Sequence, residues 1–582
     1  MSSVSAGDRH RLTVLGGLAA LSLDAMASVA YGPEAVVLVL AAAGSAGLGY
    51  ALPVTAAIAL LLAVLTLSYR QVIAAFPDGG GAYAVAKARL GRRASLIAAA
   101  SLVVDYVLNV AVSVAAGVAA LTAAFPALLP YTVELCLGVL AAITAVNLRG
   151  VAHSARAFML PTAVFVGSVG VVVVLGLLRT APPSPPSLSG SVGPLLLLKA
   201  FANGCAALTG VEAIANAVPS FRAPAVRRAQ RTEVALGAVL AAMLLGIAAL
   251  IAKYHIHPQP GTTVLAQITE RALGHGAGFY VVQVATTVLL ALAANTSFGG
   301  LPVLARLLAT DHFLPHVFAL RADRQVYRYG VLVLAGASAL LLVAAGGSMN
   351  ALVPLFAIGV FIGFTIAQVG MVRHWRGRGR RARLALNATG AVLTATAAVV
   401  TTATKFTGGA WIVVLLLAAL VLGFTKIHKV YTRIGARLGL GTIPPAPHGT
   451  SSIVVVPVHS VSALTGEALS AAMSLADEVV AVRVVHPDEP ADLRTFRLAW
   501  EAWHPDVPLA LVDAPHRDLG RPIATFVNAH CAGRRTFALI AEIEPAHAWE
   551  RLLRNHRGAV IDRALRRHTT AIVCRMRFRL SS

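Results

Sequence analysis

Three carboxylates stand in stretches where water is scarce. Asp24, Asp105 and Glu212 each fall deep inside a long apolar run, and no Lys or Arg stands near them in the sequence. A charge at the centre of a bilayer costs about 2.5–3.5 kcal/mol even on insertion scales. Something must compensate three of them, and a transported cation or proton can do so. The other reading is a set of protonated or hydrogen-bonded acids that glue helices together.

The surroundings of these acids favour transport. Asp24 lies in SLDAMASVAYGPE, Ser22 to Glu34, where Gly32-Pro33 inside an apolar run predicts a broken helix. Pro33 suits the first position of a second half-helix, and Glu34 then stabilises that helix end. The sixth apolar run repeats the style with GCAALTGVE, Gly204 to Glu212, and Pro219 beyond it. Two broken helices five runs apart are the signature of inverted-repeat transporters. Unwound backbone frees carbonyl oxygens that can ligate a cation, and it is tolerated only where it lines a cavity. Asp105, Asn109 and Ser113 are four residues apart, so one helix face carries three oxygen-bearing side chains. That stripe reads as a pathway lining, with helix packing as the alternative.

The elements that must hold these residues follow from composition. The 582 residues are 57% hydrophobic and 13% charged, with a mean hydropathy of +0.75, against about 25% charged in soluble domains. Twelve runs are long enough to cross the bilayer as helices: 13–43, 49–75, 94–124, 132–149, 156–178, 195–219, 233–256, 278–309, 328–347, 350–374, 384–404 and 409–429. The net charge of +23 sits mostly before residue 430, where 30 Lys and Arg stand against 11 acids. Those cations fall in alternate short loops, as with Lys87, Arg89, Arg92 and Arg93, or Arg222, Arg227, Arg228 and Arg231, or Arg321 and Arg324. The intervening loops, such as the Pro-rich 181–186, are nearly free of them. This is the positive-inside pattern, which places both termini in the cytoplasm of a multi-pass plasma-membrane protein and argues against a nucleic-acid partner.

Past residue 430 the composition changes. A linker, 430–450, leads to a region, 451–582, in which β-branched runs alternate with helical patterns, as in a doubly wound parallel sheet. The expected organisation is a transporter domain over 1–429 and a cytoplasmic α/β regulatory domain over 451–582. Four cysteines, Cys136, Cys205, Cys531 and Cys574, show no paired spacing, so neither a disulfide framework nor a zinc site is expected. The run opening near residue 13 shows no cleavage pattern and is read as a retained first span.

With these residues in view, the sequence resembles the amino acid–polyamine–organocation superfamily, and within it the KimA-type branch of the KUP potassium importers. The stretches that carry the likeness are SLDAMASVAYGPEA (Ser22–Ala35), FPDGGGAYAVAKARLG (Phe76–Gly91), GCAALTGVEAIANAVPSF (Gly204–Phe221), DHFLPHVF (Asp311–Phe318) and PLFAIGVFIGFT (Pro354–Thr365). The resemblance implies an all-α polytopic membrane protein of twelve helices, built as a LeuT-like pair of five-helix inverted repeats plus two helices. It implies proton-driven potassium uptake, with Asp24, Tyr31, Asp105 and Thr209 around the cation, Tyr31 as a lid and Glu212 as the proton-coupling group. Phe356 stands where that branch often has Tyr, so a hydroxyl that can contact the ion is missing. The tail is similar to universal-stress-type α/β modules, which implies a homodimer through that domain and cyclic di-AMP as an inhibitory ligand.

The functional expectation is a secondary importer of potassium coupled to protons, using no cofactor beyond the transported ions. An amino acid or polyamine permease is the alternative. An acid at the first break repels a substrate carboxylate but can hold an amine. A receptor that transports nothing leaves the polar residues at both breaks without a purpose. No Ser/His/Asp or metal-ligand spacing suggests an enzyme.

Overall fold

The computed structural model describes residues 11–149, 155–180, 192–319, 327–440, 443, 446, 450–486, 490–514, 518–544 and 557–579. The Pro-rich stretch 181–186, residues 321 and 324, and linker residues 441–442, 444–445 and 447–449 lie outside these. The chain divides into two compact units, Met1–Leu440 and Gly441–Ser582.

Every regular element among the described residues of the first unit is a helix. Eleven helical segments there are long and apolar enough to cross a membrane, which makes this a polytopic membrane protein. The expected ninth span is the shorter apolar helix Arg328–Ala344. The central segment is Arg92–Ala124, whose most apolar window is 83% buried by its neighbours; Pro126–Leu148, at 11%, lies on the rim and presents its apolar side chains outward. An apolar residue that faces lipid needs no protein partner, so burial here sorts centre from rim and says little about hydrophobicity.

The last helix, Trp411–Arg437, runs past 429, where the membrane region was expected to end. Beyond that point Lys429, Arg433 and Arg437 recur at four-residue spacing, so the helix continues with a cationic face after the apolar run stops. The expected seventh span likewise opens earlier, at Ala225 instead of 233.

The second unit is a five-stranded, fully parallel sheet of order β3-β2-β1-β4-β5. Its strands are β1 (Ser452–Pro457), β2 (Glu478–Val485), β3 (Leu509–Asp513), β4 (Arg535–Glu544) and β5 (Ile572–Arg579). Side chains on a strand alternate between faces. Val454 and Val456 therefore join one core, with Leu469 and Trp500 from the helices Ala463–Met473 and Pro490–Trp503. Ile453 and Val455 join the opposite core, with Val527 and Leu565 from Gly520–His530 and Arg557–His568. A sheet covered on both faces explains why β1 reads as a continuous apolar run.

Candidate functional site

Both expected helix breaks are present. In the first, the helix Leu23–Ala27 passes into a 3₁₀ turn, Ser28–Ala30, and a second helix starts at Gly32 with Pro33 in its first turn. In the second, Pro194–Gly204 gives way to the 3₁₀ turn Cys205–Leu208, Thr209 is extended, and Ala213–Asn216 follows. A 3₁₀ turn shifts the backbone bonds from the i→i+4 pattern and leaves carbonyl groups free at its ends.

The two breaks pack directly on each other. Ser28 Oγ lies 2.7 Å from the carbonyl oxygens of both Ala25 and Ala207, so one hydroxyl clasps the two unwound segments. Gly32 faces Ala207 so closely that a Cβ on it would stand 2.4 Å from the alanine methyl. Gly210 has φ of +78°, and a Cβ there would lie 2.7 Å from the Ala25 nitrogen and 2.8 Å from Asp24 Oδ2. Only glycine meets both demands, and its bare backbone sets the position of Asp24.

Asp24, Asp105 and Glu212 lie within electrostatic reach of one another. All three are buried, and each keeps one carboxylate oxygen without a hydrogen-bond partner: Asp24 Oδ1, Asp105 Oδ1 and Glu212 Oε2. Tyr31, fully buried, brings its hydroxyl to 3.0 Å from Thr209 Oγ1, joining the first break to the second. Asp105 and Glu212 also line a cavity of about 10 Å³, room for one water-sized body, together with Tyr69, Ser101, Gly359 and Gly363. The two glycines come from the helix Met349–Trp375 and sit against Ser101 and the Asp105 backbone, so a methyl group at either would enter that space. Among the described residues no group of three or more His, Cys, Asp or Glu side chains is arranged to hold a metal ion. Asp105 and Glu212 share the wall of this small space with the hydroxyl-bearing Tyr69 and Ser101. Such a setting suits a single monovalent cation that has shed its water.

The polar stripe on Arg92–Ala124 divides. Asp105 points to the acids, but Ser113 Oγ donates to Asn109 Oδ1 at 3.1 Å, and Asn109 Nδ2 donates to Ser297 Oγ at 3.0 Å. Asn109, supported by Ser113, thus ties this helix to Ala277–Thr310, as in the packing alternative for the stripe. Phe356 is fully buried among apolar neighbours and is not among the residues around the small cavity. Glu34 does more than stabilise its own helix end. Its carboxylate accepts from the Val264 backbone N–H at 3.1 Å and from Asn350 Nδ2 at 3.2 Å, so one side chain joins three elements.

Two features were not read from the sequence. Glu233 is fully buried with both carboxylate oxygens unpartnered. At the opposite end of the bundle from Glu34, Asp311 Oδ2 accepts from Tyr83 Oη at 2.7 Å and from Lys87 Nζ at 2.6 Å, pinning the short helix Gly81–Arg89. Burial, and then that hydrogen bond to Asp311, push the Tyr83 phenol above its ordinary range.

Comparison with known proteins places this geometry among transporters. The amino acid permease family profile matches residues 17–425, and the profile described as the KimA potassium transporter C-terminal domain matches residues 450–578. The potassium transporter KimA of Bacillus subtilis (strain 168) is 39% identical over 541 residues, which cover 91% of this chain and 88% of that one. Among solved structures, a manganese transporter from Eremococcus coleocola, in complex with an aromatic bis-isothiourea substituted compound, matches at 12% identity. It has a TM-score of 0.41 over 73% of this chain and 95% of that one. A mutant of the same transporter matches at 13% identity and a TM-score of 0.38, over 72% and 95%.

Proposed function

This chain belongs to the amino acid permease family and to its KimA branch, and from that premise we propose that it imports potassium, driven by voltage and coupled protons. The observation that carries this reading is the meeting of three buried carboxylates, each with an open oxygen, beside the Tyr31–Thr209 hydroxyl pair where two helix breaks cross. Asp24 and Asp105 supply negative charge to the ion. Tyr31 and Thr209 supply hydroxyl oxygens, and the breaks supply carbonyl groups. Glu212 exchanges the coupled proton.

Each element follows from elementary energetics. A dehydrated cation needs several oxygen partners to replace its lost water, and neutral oxygens alone do not compensate three acids at this depth. Voltage contributes about 2.3 kcal/mol per elementary charge per 100 mV, so inward movement of a cation needs no nucleotide. The Ser28 clasp joins the breaks, so a shift of one broken helix moves the other. Glu34 holds one end of the bundle closed and the Tyr83–Asp311–Lys87 cluster braces the other.

The reading includes twelve spans in a LeuT-like five-plus-five repeat with two further helices, and both termini in the cytoplasm. The eleven apolar segments plus Arg328–Ala344 support that count, and the alternate basic loops support the orientation. The tail is a universal-stress-like regulatory unit that dimerises and takes cyclic di-AMP; the 3-2-1-4-5 parallel order supports the fold assignment. An amine permease is the second reading, favoured by Asp24, since a buried acid at the first break can hold an amine as well as a bare cation.

The test is rubidium uptake into proteoliposomes under an inside-negative potential, with and without an inward pH gradient, in the presence of putrescine or arginine. Saturable uptake that potassium blocks and the amines do not supports potassium import. Block by either amine transfers the assignment to an amine permease.

A further inference from the structure

Glu233 has no role in the cation site just described, yet it is among the most thoroughly buried polar groups of the membrane unit. Its helix, Ala225–Tyr254, packs antiparallel to Ala51–Ala75, and two contacts fix the register. Gly237 stands against Thr66, where a Cβ would lie 2.5 Å from the threonine oxygen, and Gln230 Nε2 donates to the Arg70 carbonyl at 2.8 Å. Between those two levels lie Glu233 on one helix and Tyr69 on the other.

Tyr69 connects two regions. It lines the small cavity that holds Asp105 and Glu212, its hydroxyl is buried without a partner, and it is within electrostatic reach of both Glu212 and Glu233. One turn farther along, at Arg70 and Gln230, a cavity of about 420 Å³ opens beside the exposed Arg70 and Arg383. Glu212, Tyr69 and Glu233 therefore stand in series from the small cavity toward the larger one, which Arg70 and Gln230, the neighbours of Tyr69 and Glu233, line. Elements packed against this part of the helix bring Tyr69 and Arg70 from Ala51–Ala75, Asp24 from Leu23–Ala27 and Glu212 at the start of Ala213–Asn216, and Val14–Leu21 brings no titratable group.

A buried carboxyl without a partner is costly to keep for packing alone, since an apolar side chain fills the same space more cheaply. Intramembrane carboxyls in series mark proton relays. We propose that Glu233 is a second proton-binding site, which receives the coupled proton from Glu212 by way of Tyr69 and releases it into the cavity at Arg70. This rests on the proton-coupled reading above. None of the three groups is hydrogen-bonded to the next, so the transfer runs through a water in each gap: Tyr69 accepts a proton from the Glu212 carboxyl as it gives its own hydroxyl proton to the Glu233 carboxylate. Glu233 then gives that proton to water that enters from the cavity at Gln230, one turn away, which leaves the tyrosine neutral and both carboxylates ionised.

The experiment compares wild type, Glu233→Gln and Tyr69→Phe, reconstituted as the full chain. Three readouts are taken: net rubidium uptake, rubidium/rubidium exchange at equal concentrations on both sides, and acidification of the lumen by a trapped pH dye. The relay predicts that Glu233→Gln keeps exchange, which needs no net proton movement, and that both variants lose acidification together with gradient-driven uptake. Tyr69→Phe keeps the ring and its packing, so it tests the series even where Glu233→Gln fails to fold. Variants that acidify the lumen as wild type does overturn the proposal. Wild-type protein that moves rubidium without acidification overturns proton coupling itself, and wild-type protein that moves no rubidium overturns the importer.

Discussion

The tight contact of Gly210 with Asp24 and Ala25, between the two helix breaks, yields a quantitative prediction through Gly210→Ala. Alanine at φ of +78° costs about 1–2 kcal/mol, because the left-handed region brings Cβ against the following carbonyl. The new methyl would also stand 2.7 Å from the Ala25 nitrogen and 2.8 Å from Asp24 Oδ2, well inside contact distance. Relief requires movement of backbone, and overpacking of that kind adds about 1–3 kcal/mol. The combined cost of about 2–5 kcal/mol falls on the geometry that holds Asp24 at the site. At 1.4 kcal/mol per factor of ten, the lower bound corresponds to about a 30-fold loss of the competent arrangement. The assay is rubidium uptake normalised to folded, monodisperse protein. Gly299→Ala serves as the control, since its Cβ meets nothing within 4 Å. The expected result is at least that loss in apparent affinity or rate for Gly210→Ala and no change for Gly299→Ala. Equal transport by the two variants refutes the claim that this contact sets the position of Asp24.

Other consequences follow from contacts away from the ion. Glu34→Ala leaves the Val264 N–H and the Asn350 amide without their acceptor, and hydrogen bonds to a charged group contribute about 1.5–3 kcal/mol each. Its unfolding midpoint falls in a fluorescence-detected melt, while rubidium bound to the folded fraction is unchanged. In the tail, Asp477 accepts from the backbone N–H and the hydroxyl of Ser452, both at 3.0 Å, and these bonds hold its carboxyl below the usual range. A depressed folded value contributes stability above the unfolded value, about 3.9, that is lost as pH falls through the folded one. Asp477→Asn therefore lowers the tail's melting midpoint at pH 7, and the difference from wild type closes as the pH drops below 4. A difference that stays constant with pH contradicts the assignment.

What the sequence made legible was the chemistry that violates its surroundings. Asp24, Asp105 and Glu212 stand out because acids are rare in apolar runs, and Gly32-Pro33 marks a break because proline cannot continue a helix. The alternating pattern past residue 450 gave the parallel sheet, since strands buried on both faces are β-branched throughout. Contacts made across the fold were not legible. Asn109 and Ser113 sit on the right face, but only the packed helices reveal that Ser297 engages Asn109, which Ser113 in turn supports. Glu34 reads as a helix-end charge until Val264 and Asn350, more than two hundred residues away, are brought to it. Glu233 was missed because Arg222, Arg227, Arg228 and Arg231 make its surroundings look like a loop. The helix begins at Ala225, and Glu233 lies two turns inside it.

Equilibrium binding of radioactive rubidium to the purified transporter tests the central claim most directly, with Asp24→Asn and Asp105→Asn compared against wild type and against Asn350→Ala. The account predicts saturable binding in wild type and in Asn350→Ala, displaced by potassium, and loss of that binding in both aspartate variants. Undiminished binding in Asp24→Asn and Asp105→Asn contradicts it.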